Sequence, residues 1–389
     1  MIWRPVAGPA EVSGNGLITG IARAGDRWEV SFVSEPRTSP QPLWFHVTVA
    51  GVGGAAVAFR WQNADITLGA RDELHLLRPV LRADEGAWER CAGVEVDESP
   101  DGRQQVRFEH PGGADKVAAA LCYPYAPQDL EATVAAVGDL WEQAVIGATG
   151  EGRPLLRLRL AGASGAGTRP GLYLLARQHA GETPGSWVLD GILRFLAGDD
   201  KGRELGQALD VWAVPFVDLD GVVNGDYGKD ALPWDFNRAW EPLAMRPAVH
   251  ALQRDLMRFA ARTTPRLVID LHAPGHSTPD VYVQLPRQQR PHEQQAAAMS
   301  FVARLAEQFP ELDADTLGRP TVYPSRWNAM ATAGSWVWHH LDRTACVAIE
   351  TSYQRLNGRE LDPDGYRDVG RRVLLAAWAW LQAQGTRRP

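Results

Sequence analysis

The chain has 389 residues, 45% of them hydrophobic and 22% charged, an ordinary globular composition with ample material for a packed core and a length that points to two domains. Its formal charge of −7 excludes a dominant electrostatic pull toward nucleic acid or an anionic membrane, while leaving room for a local basic pocket. The opening stretch MIWRPVAGPAEVSG lacks the basic-then-apolar order of a secretory signal, and no run approaches the ~18 apolar residues of a membrane span. The expectation is a cytoplasmic protein with no nucleic-acid and no membrane partner. Cys91, Cys122 and Cys346 are far apart, odd in number and set in apolar contexts, which reads as buried free thiols in a reducing compartment.

From about residue 16 to 125 the runs RWEVSFVSE, LWFHVTVAGV, AAVAFRWQ, LRPVLRA, QQVRFEH and VAAALCYPY are separated by segments rich in Gly, Pro, Asp and Asn. Short β-branched and aromatic runs punctuated by turn residues predict an all-β antiparallel sandwich over residues 1–125. After Tyr125 the texture changes. APQDLEATVAAVGDLWEQA reads as a helix, and strand-like runs LLRLRLAG, GLYLLARQ, DVWAVPFV, RLVIDLH, DVYVQL and ACVAIE follow. Between and after them lie the helical runs GSWVLDGILRFLAG, AVHALQRDLMRFAAR, HEQQAAAMSFVARLAEQF and YRDVGRRVLLAAWAWLQAQ. This alternation predicts one α/β domain over 126–389 with a mixed central sheet flanked by helices. Of the 15 tryptophans, Trp187, Trp336, Trp338, Trp378 and Trp380 fall in helical runs, where they serve packing.

Ligand sites in open α/β sheets collect beyond the carboxyl ends of strands. Three predicted strands end in residue types that bind metals: GLYLLARQ runs into His179 and Glu182, RLVID into His272, and ACVAI into Glu350. A His and a Glu three positions apart can chelate from one turn, and a distant His completes the two-His, one-carboxylate set that leaves zinc an open position. Glu350 has two readings, a strand-end carboxylate paired with an arginine, or a general base beside an activated water. Asp235, Asn237 and Arg238 in WDFNR likewise form either a plain polar turn or a working group. In the second case Asp235 orients a ligating imidazole, while Asn237 and Arg238 hold a substrate carboxylate. His276 is assigned to the loop or to the substrate side rather than to the metal, because a fourth protein ligand would close the metal to water.

Together HAGETPGSW, DLDGVVNGDY, DFNRAW, DLHAPGHS and AIETS, in this order, resemble the zinc carboxypeptidase family, in particular its bacterial-type cytosolic carboxypeptidase branch. LWFHVTVAG and LCYPYAPQDLEA are similar to the β-sandwich that precedes the catalytic domain in that branch. The resemblance implies one zinc per chain on His179, Glu182 and His272, and Glu350 as base and proton donor. It implies Asn237 and Arg238 as binders of the terminal carboxylate, with Asp235 behind His179. The substrate it implies is a peptide or protein C-terminus, cleaved at a peptide or isopeptide bond, with acidic residues as a candidate class. Lys229 and Arg326 are the candidates for the basic pocket such residues require.

Two departures bear on substrate class. Where relatives carry an arginine that stabilises the oxyanion, this chain has Gly228 followed by Lys229, a point charge without the planar fork. The family's Asn-Pro-Asp-Gly is Asp218-Leu219-Asp220-Gly221, and its short His-containing turn is lengthened to DLHAPGH. These changes keep open a zinc amidase acting on small N-acyl amino acids or amidated compounds, and a non-catalytic binding protein of the same fold.

Overall fold

The computed structural model describes residues 5–67, 71–160, 169–241, 245–264, 266–285, 292–320 and 331–385. The N-terminal unit contains β1 (Val6–Pro9), β2 (Leu17–Ala24), β3 (Arg27–Val33), β4 (His46–Ala50) and β5 (Ala56–Trp61). It continues with β6 (Val80–Ala83), β7 (Trp88–Arg90), β8 (Glu95–Glu98), β9 (Gln104–His110) and β10 (Lys116–Ala120). They form two five-stranded sheets, ordered β1-β4-β10-β6-β7 and β2-β3-β5-β9-β8. Pairing is antiparallel apart from β3 and β5, which run parallel from Arg27↔Ala56 to Phe32↔Trp61. The period-2 pattern of β3 turns Trp28, Val30 and Phe32 inward, as a half-buried strand requires. Phe45 sits in this core with its ring 5.1 Å from Phe32 and 4.8 Å from Trp61.

The second unit begins with α1 (Pro127–Val137), β11 (Trp141–Ala148), β12 (Pro154–Leu160), β13 (Gly171–Ala176), α2 (Thr183–Gly198) and α3 (Asp200–Ala208). Next come β14 (Asp210–Val214), α4 (Leu219–Asn224), α5 (Pro247–Ala260), β15 (Arg266–His272), β16 (Val281–Leu285) and α6 (His292–Gln308). The chain ends with α7 (Ala314–Leu317), β17 (Gly318–Pro320), α8 (Ala333–His340), β18 (Thr344–Thr351), the hairpin β19 (Arg355–Leu356) and β20 (Arg359–Glu360), and α9 (Pro363–Gly385). The central sheet has the order β11-β12-β14-β13-β15-β18-β16-β17, the mixed sheet expected.

The expected single helix over APQDLEATVAAVGDLWEQA is in fact helix then strand. Gly138, at φ 68°, ends α1 in a backbone conformation that favours glycine, and the residues from Trp141 pair with β12. Trp141 is buried while Glu142 and Gln143 are exposed, the outward polar positions of an edge strand that resemble a helix surface when read alone.

The four inner strands β14, β13, β15 and β18 run parallel and are almost wholly buried, because helices cover both faces. Leu172 and Leu174 of β13 join a core with α2 and α9, whereas Tyr173 and Leu175 face α5 and α8. From β13 the chain crosses to β14 on one side and then returns to β15 on the other. The crevice between β13 and β15 is therefore a topological switch point, where open α/β sheets bind ligands.

Helix α2 leaves this crevice and lies against α9. The approach is close because both helices present glycines: a Cβ on Gly370 would stand 2.1 Å from Val188 O, and one on Gly191 would stand 2.2 Å from Arg367 O. Gly370→Ala is expected to cost about 1–3 kcal/mol by overpacking, read as a lowered denaturation midpoint. An unchanged midpoint would show that the helices separate freely.

Candidate active site

The strand ends build the site. Arg177 takes a left-handed conformation at φ 60° and turns the chain out of β13, so that His179 and Glu182 stand over the crevice. His272 is the last residue of β15. In parallel register it pairs with Glu350 on β18. His179, Glu182 and His272 are buried, and one ligand atom from each can be chosen so that all lie within 4.8 Å of one another. Glu182 links the rings, with Oε1 2.9 Å from His179 Nδ1 and Oε2 2.8 Å from His272 Nδ1.

The far side of each ring is held by a second carboxylate. His179 Nε2 lies 3.2 Å from Asp235 Oδ1, and His272 Nε2 lies 2.9 Å from Asp270 Oδ2. Donation of Nε2–H to these carboxylates leaves both Nδ1 lone pairs directed at the crevice, the arrangement that prepares imidazoles for a metal. Burial alone would lower the pKa of both rings, but Glu182 with Asp235, and Asp270 with Glu182, outweigh it and hold His179 above its usual value and His272 well above. Burial likewise opposes ionisation of Glu182, yet the two rings and Lys229 keep its carboxyl well below the usual range. The pocket is thus built to accept positive charge.

Glu350 is buried with Oε2 unpartnered. Its carboxyl is pushed up by burial, against the pull of Lys229 and His272. No arginine pairs with it among the described residues. Lys229 reaches the metal-binding group: its Nζ lies 2.9 Å from Glu182 Oε1 and donates to Ala273 O at 3.1 Å. Gly228 cannot be replaced by an arginine in this backbone. At φ 95° its Cβ would stand 2.4 Å from Ala180 N and 2.9 Å from His179 Cα.

Asp235 caps the turn Phe236–Arg238, accepting from Asn237 N at 2.7 Å, so one carboxylate shapes the turn and steadies His179. Asn237 Oδ1 accepts from Ala333 N at 3.2 Å, which puts Nδ2 3.2 Å from His272 Nε2. Arg238 is half-buried beside it and donates to Asn237 O at 2.8 Å. The ring of His276 is buried with neither nitrogen partnered, and burial pushes its pKa down to about 4, opposed by Glu73. It stands outside the metal-binding group. Arg326 lies outside the described residues.

Several participants are absent from the sequence reading. Asp270 is two residues from His272 on the same strand face, a spacing the sequence displays but that reads as one more position in a buried run. Gln178 donates to Asp270 Oδ2 at 2.5 Å and accepts from Trp240 Nε1 at 2.9 Å. Buried Arg177 braces the ligand loop, donating from Nε to Ala180 O at 2.7 Å and from its Nη1 to Tyr125 O at 2.9 Å. The sandwich also contributes. The Asp226 carboxylate accepts from Thr38 N at 3.0 Å, Ser39 N at 3.2 Å and Gly228 N at 3.3 Å, and Ser39 Oγ donates to Lys229 O.

Residues 127–308 match the family model described as zinc carboxypeptidase. That segment, just under half of the chain, is similar to the zinc carboxypeptidases. Cytosolic carboxypeptidase 6 of Caenorhabditis elegans is 32% identical over 112 residues, which are 28% of this chain and 24% of the relative. Cytosolic carboxypeptidase 1 of Danio rerio is 35% identical over 115 residues, 28% of this chain and 10% of the relative. The chain therefore spans at most about a quarter of the length of these relatives. Among solved structures, a metallo-carboxypeptidase from Burkholderia cenocepacia superposes with a TM-score of 0.80 at 20% identity, covering 98% of this chain and 100% of its own. The Pseudomonas aeruginosa metallo-carboxypeptidase in complex with (2-guanidinoethylmercapto)succinic acid gives 0.77 at 22% identity, covering 97% and 99%. At these identities the likeness establishes the fold, including the sandwich in front of the α/β unit.

Zinc is the metal of this family, and the donor chemistry suits it: two imidazoles and one carboxylate converge, each ring steadied by a carboxylate from behind. Asp270→Asn and Asp235→Asn are each expected to weaken zinc binding about 10–100-fold with the circular dichroism spectrum unchanged. Competition against a chromogenic chelator measures this, and unaltered affinity would remove these carboxylates from the metal site.

Proposed function

We propose that the chain is a zinc metallocarboxypeptidase that releases C-terminal residues from peptides or proteins. One zinc per chain would be held by His179, Glu182 and His272. The observation that carries this reading is the convergence of that group, beside a buried Glu350 whose Oε2 has no other partner. Zinc at such a set supplies Lewis acidity and lowers the pKa of a bound water to about 7.

The chain's own residues divide the remaining work. Glu350 Oε2 takes a proton from the attacking water, and the raised affinity of its carboxyl for that proton suits it to deliver the proton to the leaving amine. Lys229 provides the positive charge that stabilises the oxyanion, in place of the arginine that the Gly228 backbone excludes. The Arg238 fork receives the substrate's terminal carboxylate, with Asn237 beside it, while His276 lines the substrate side and Asp235 steadies His179. Acidic C-terminal residues are the favoured class. In support, Lys229 offers a cation beside the metal-binding group. We place the boundary between sandwich and catalytic domain at residues 125/126. A cytoplasmic location fits the cytosolic relatives, and among the described residues no helix is long and apolar enough to cross a membrane.

The decisive experiment is elemental analysis of the purified protein together with hydrolysis of a panel of C-terminally varied peptides, before and after chelation. One zinc per chain with chelator-sensitive release of terminal residues is expected; zinc with cleavage of N-acyl amino acids alone would transfer the assignment to an amidase. Glu350→Gln should keep its zinc and lose at least about 10²-fold in kcat, the lower range for a general base; retained turnover would dismiss Glu350 from that role. Lys229→Met is expected to lower kcat by about 10²–10³-fold, as loss of an oxyanion donor does, with little change in KM. A change confined to KM would assign Lys229 to substrate binding instead.

A further inference from the structure

Residues 225–230, which follow α4, bond by turns to the sandwich and to the metal-binding group. Gly225 lies against the sandwich, where a Cβ would stand 2.1 Å from Gly14 O, and its carbonyl accepts from Asn15 Nδ2 at 2.8 Å. The buried Asp226 carboxylate meets the loop between β3 and β4, accepting from Thr38 N at 3.0 Å, from Ser39 N at 3.2 Å and from the Thr38 hydroxyl. Tyr227 O accepts from Gly181 N at 2.8 Å, inside the His179–Glu182 turn. Lys229 sends its Nζ to Glu182 while its carbonyl accepts from Ser39 Oγ. Asp230 N donates to Asp235 Oδ2 at 3.0 Å, and Asp230 Oδ2 accepts from Gln41 Nε2 at 3.0 Å.

The loop between β3 and β4 is itself braced, since Ser34 N donates to Asn63 Oδ1 at 3.0 Å and Glu35 N to Asn15 Oδ1 at 2.8 Å. Leu232 N closes the far end by donating to Thr38 O at 2.9 Å. Asp226 is the centre of this network, because the same carboxylate accepts from Gly228 N at 3.3 Å. It thereby joins two sandwich residues to the backbone one position before Lys229. Hydrogen bonds to an ionised acceptor are among the strong ones. The lysine has need of them, for an ammonium on a flexible four-carbon stem keeps one place only if the backbone at its root is fixed.

We propose that Asp226 is a positioning residue: held by Thr38 and Ser39 of the sandwich, it fixes the root of the Lys229 side chain and so sets the ammonium beside Glu182. The consequence for turnover rests on the oxyanion role of Lys229 proposed above; the placement of the ammonium does not. Asp226→Asn keeps the shape of the side chain but turns an amide group, itself a donor, toward backbone and hydroxyl donors, and the segment loosens.

Two readouts on the zinc-loaded chain test this. Lys116 and Lys201, the chain's other two lysines, have side chains 41% and 52% exposed, against 19% for Lys229, and serve as internal references for amine labelling. Reductive methylation read by mass spectrometry should modify Lys229 slowly in the wild type and several-fold faster in Asp226→Asn, with the references unchanged. Asp226→Asn should also keep one zinc per chain and lower kcat by about 10- to 10²-fold, as misplacement by about 1 Å does, with little change in KM. Added to Lys229→Met it should cost nothing further, because both substitutions act through one ammonium. If Asp226→Asn fails to fold, as judged by circular dichroism, Thr38→Val carries the test: it should move both readouts the same way by less, and Thr38→Ser should restore them. Wild-type labelling of Lys229 in the variant that folds, or losses in kcat that multiply in the double variant, would overturn the proposal. Failure of the carboxypeptidase reading would show separately, as absence of peptide release from the wild type, and the labelling would then decide the placement of Lys229 alone.

Discussion

The site is organised by the need to keep an ionised carboxylate, Glu182, inside the protein. A buried carboxylate is tolerated only when matched by positive charge and hydrogen bonds. The chain meets this with two imidazoles, each requiring a carboxylate of its own, and with the Lys229 ammonium. Each added charge demands another partner, so Gln178 holds Asp270 and the backbone of the Asp235 turn holds Asp235. The result is a shell of alternating charge in which every ring orientation is set twice. A single cation of high charge is the simplest occupant of its centre.

The legible part of the sequence is the part governed by local rules. Strands β13, β15 and β18 announce themselves as short apolar runs, and the ligands as polar residues that interrupt them at their carboxyl ends. β2, with Gly20 in its middle, and β8, with the sequence EVDE, carry too little hydrophobic alternation to be recognised alone. The helix at α1 is read too long because the outward polar residues of β11 imitate a helix surface. Asp270 escapes notice for the opposite reason, since a carboxylate inside an apolar run gains meaning only once the histidine two residues on is known to turn its Nε2 inward.

The part that sequence spacing cannot reveal depends on contacts across the chain. Gly228 reads as a lost arginine, and only its closeness to the His179–Ala180 backbone explains why no side chain stands there. Asp226 has no role in the sequence reading, yet it is the anchor by which Thr38 and Ser39, almost two hundred positions earlier, fix the segment that presents Lys229. Asn15 adds a bond to Gly225 O at 2.8 Å, and Trp44 donates to Ser13 O at 2.8 Å. The sandwich is thereby a structural part of the candidate metal site rather than a cover for an exposed edge.

The in-register pairing of His272 with Glu350 also limits how this protein can change over evolutionary time. Side chains alternate faces along a strand, so one inserted or deleted residue within β15 or β18 would turn ligand or base to the opposite side of the sheet. Length variation must accumulate beyond the last paired residue. The extended turn after His272, Ala273-Pro274-Gly275-His276, lies in that permissive position. New substrate preferences can therefore arise by remodelling the rim, while the paired strands beneath stay fixed in length.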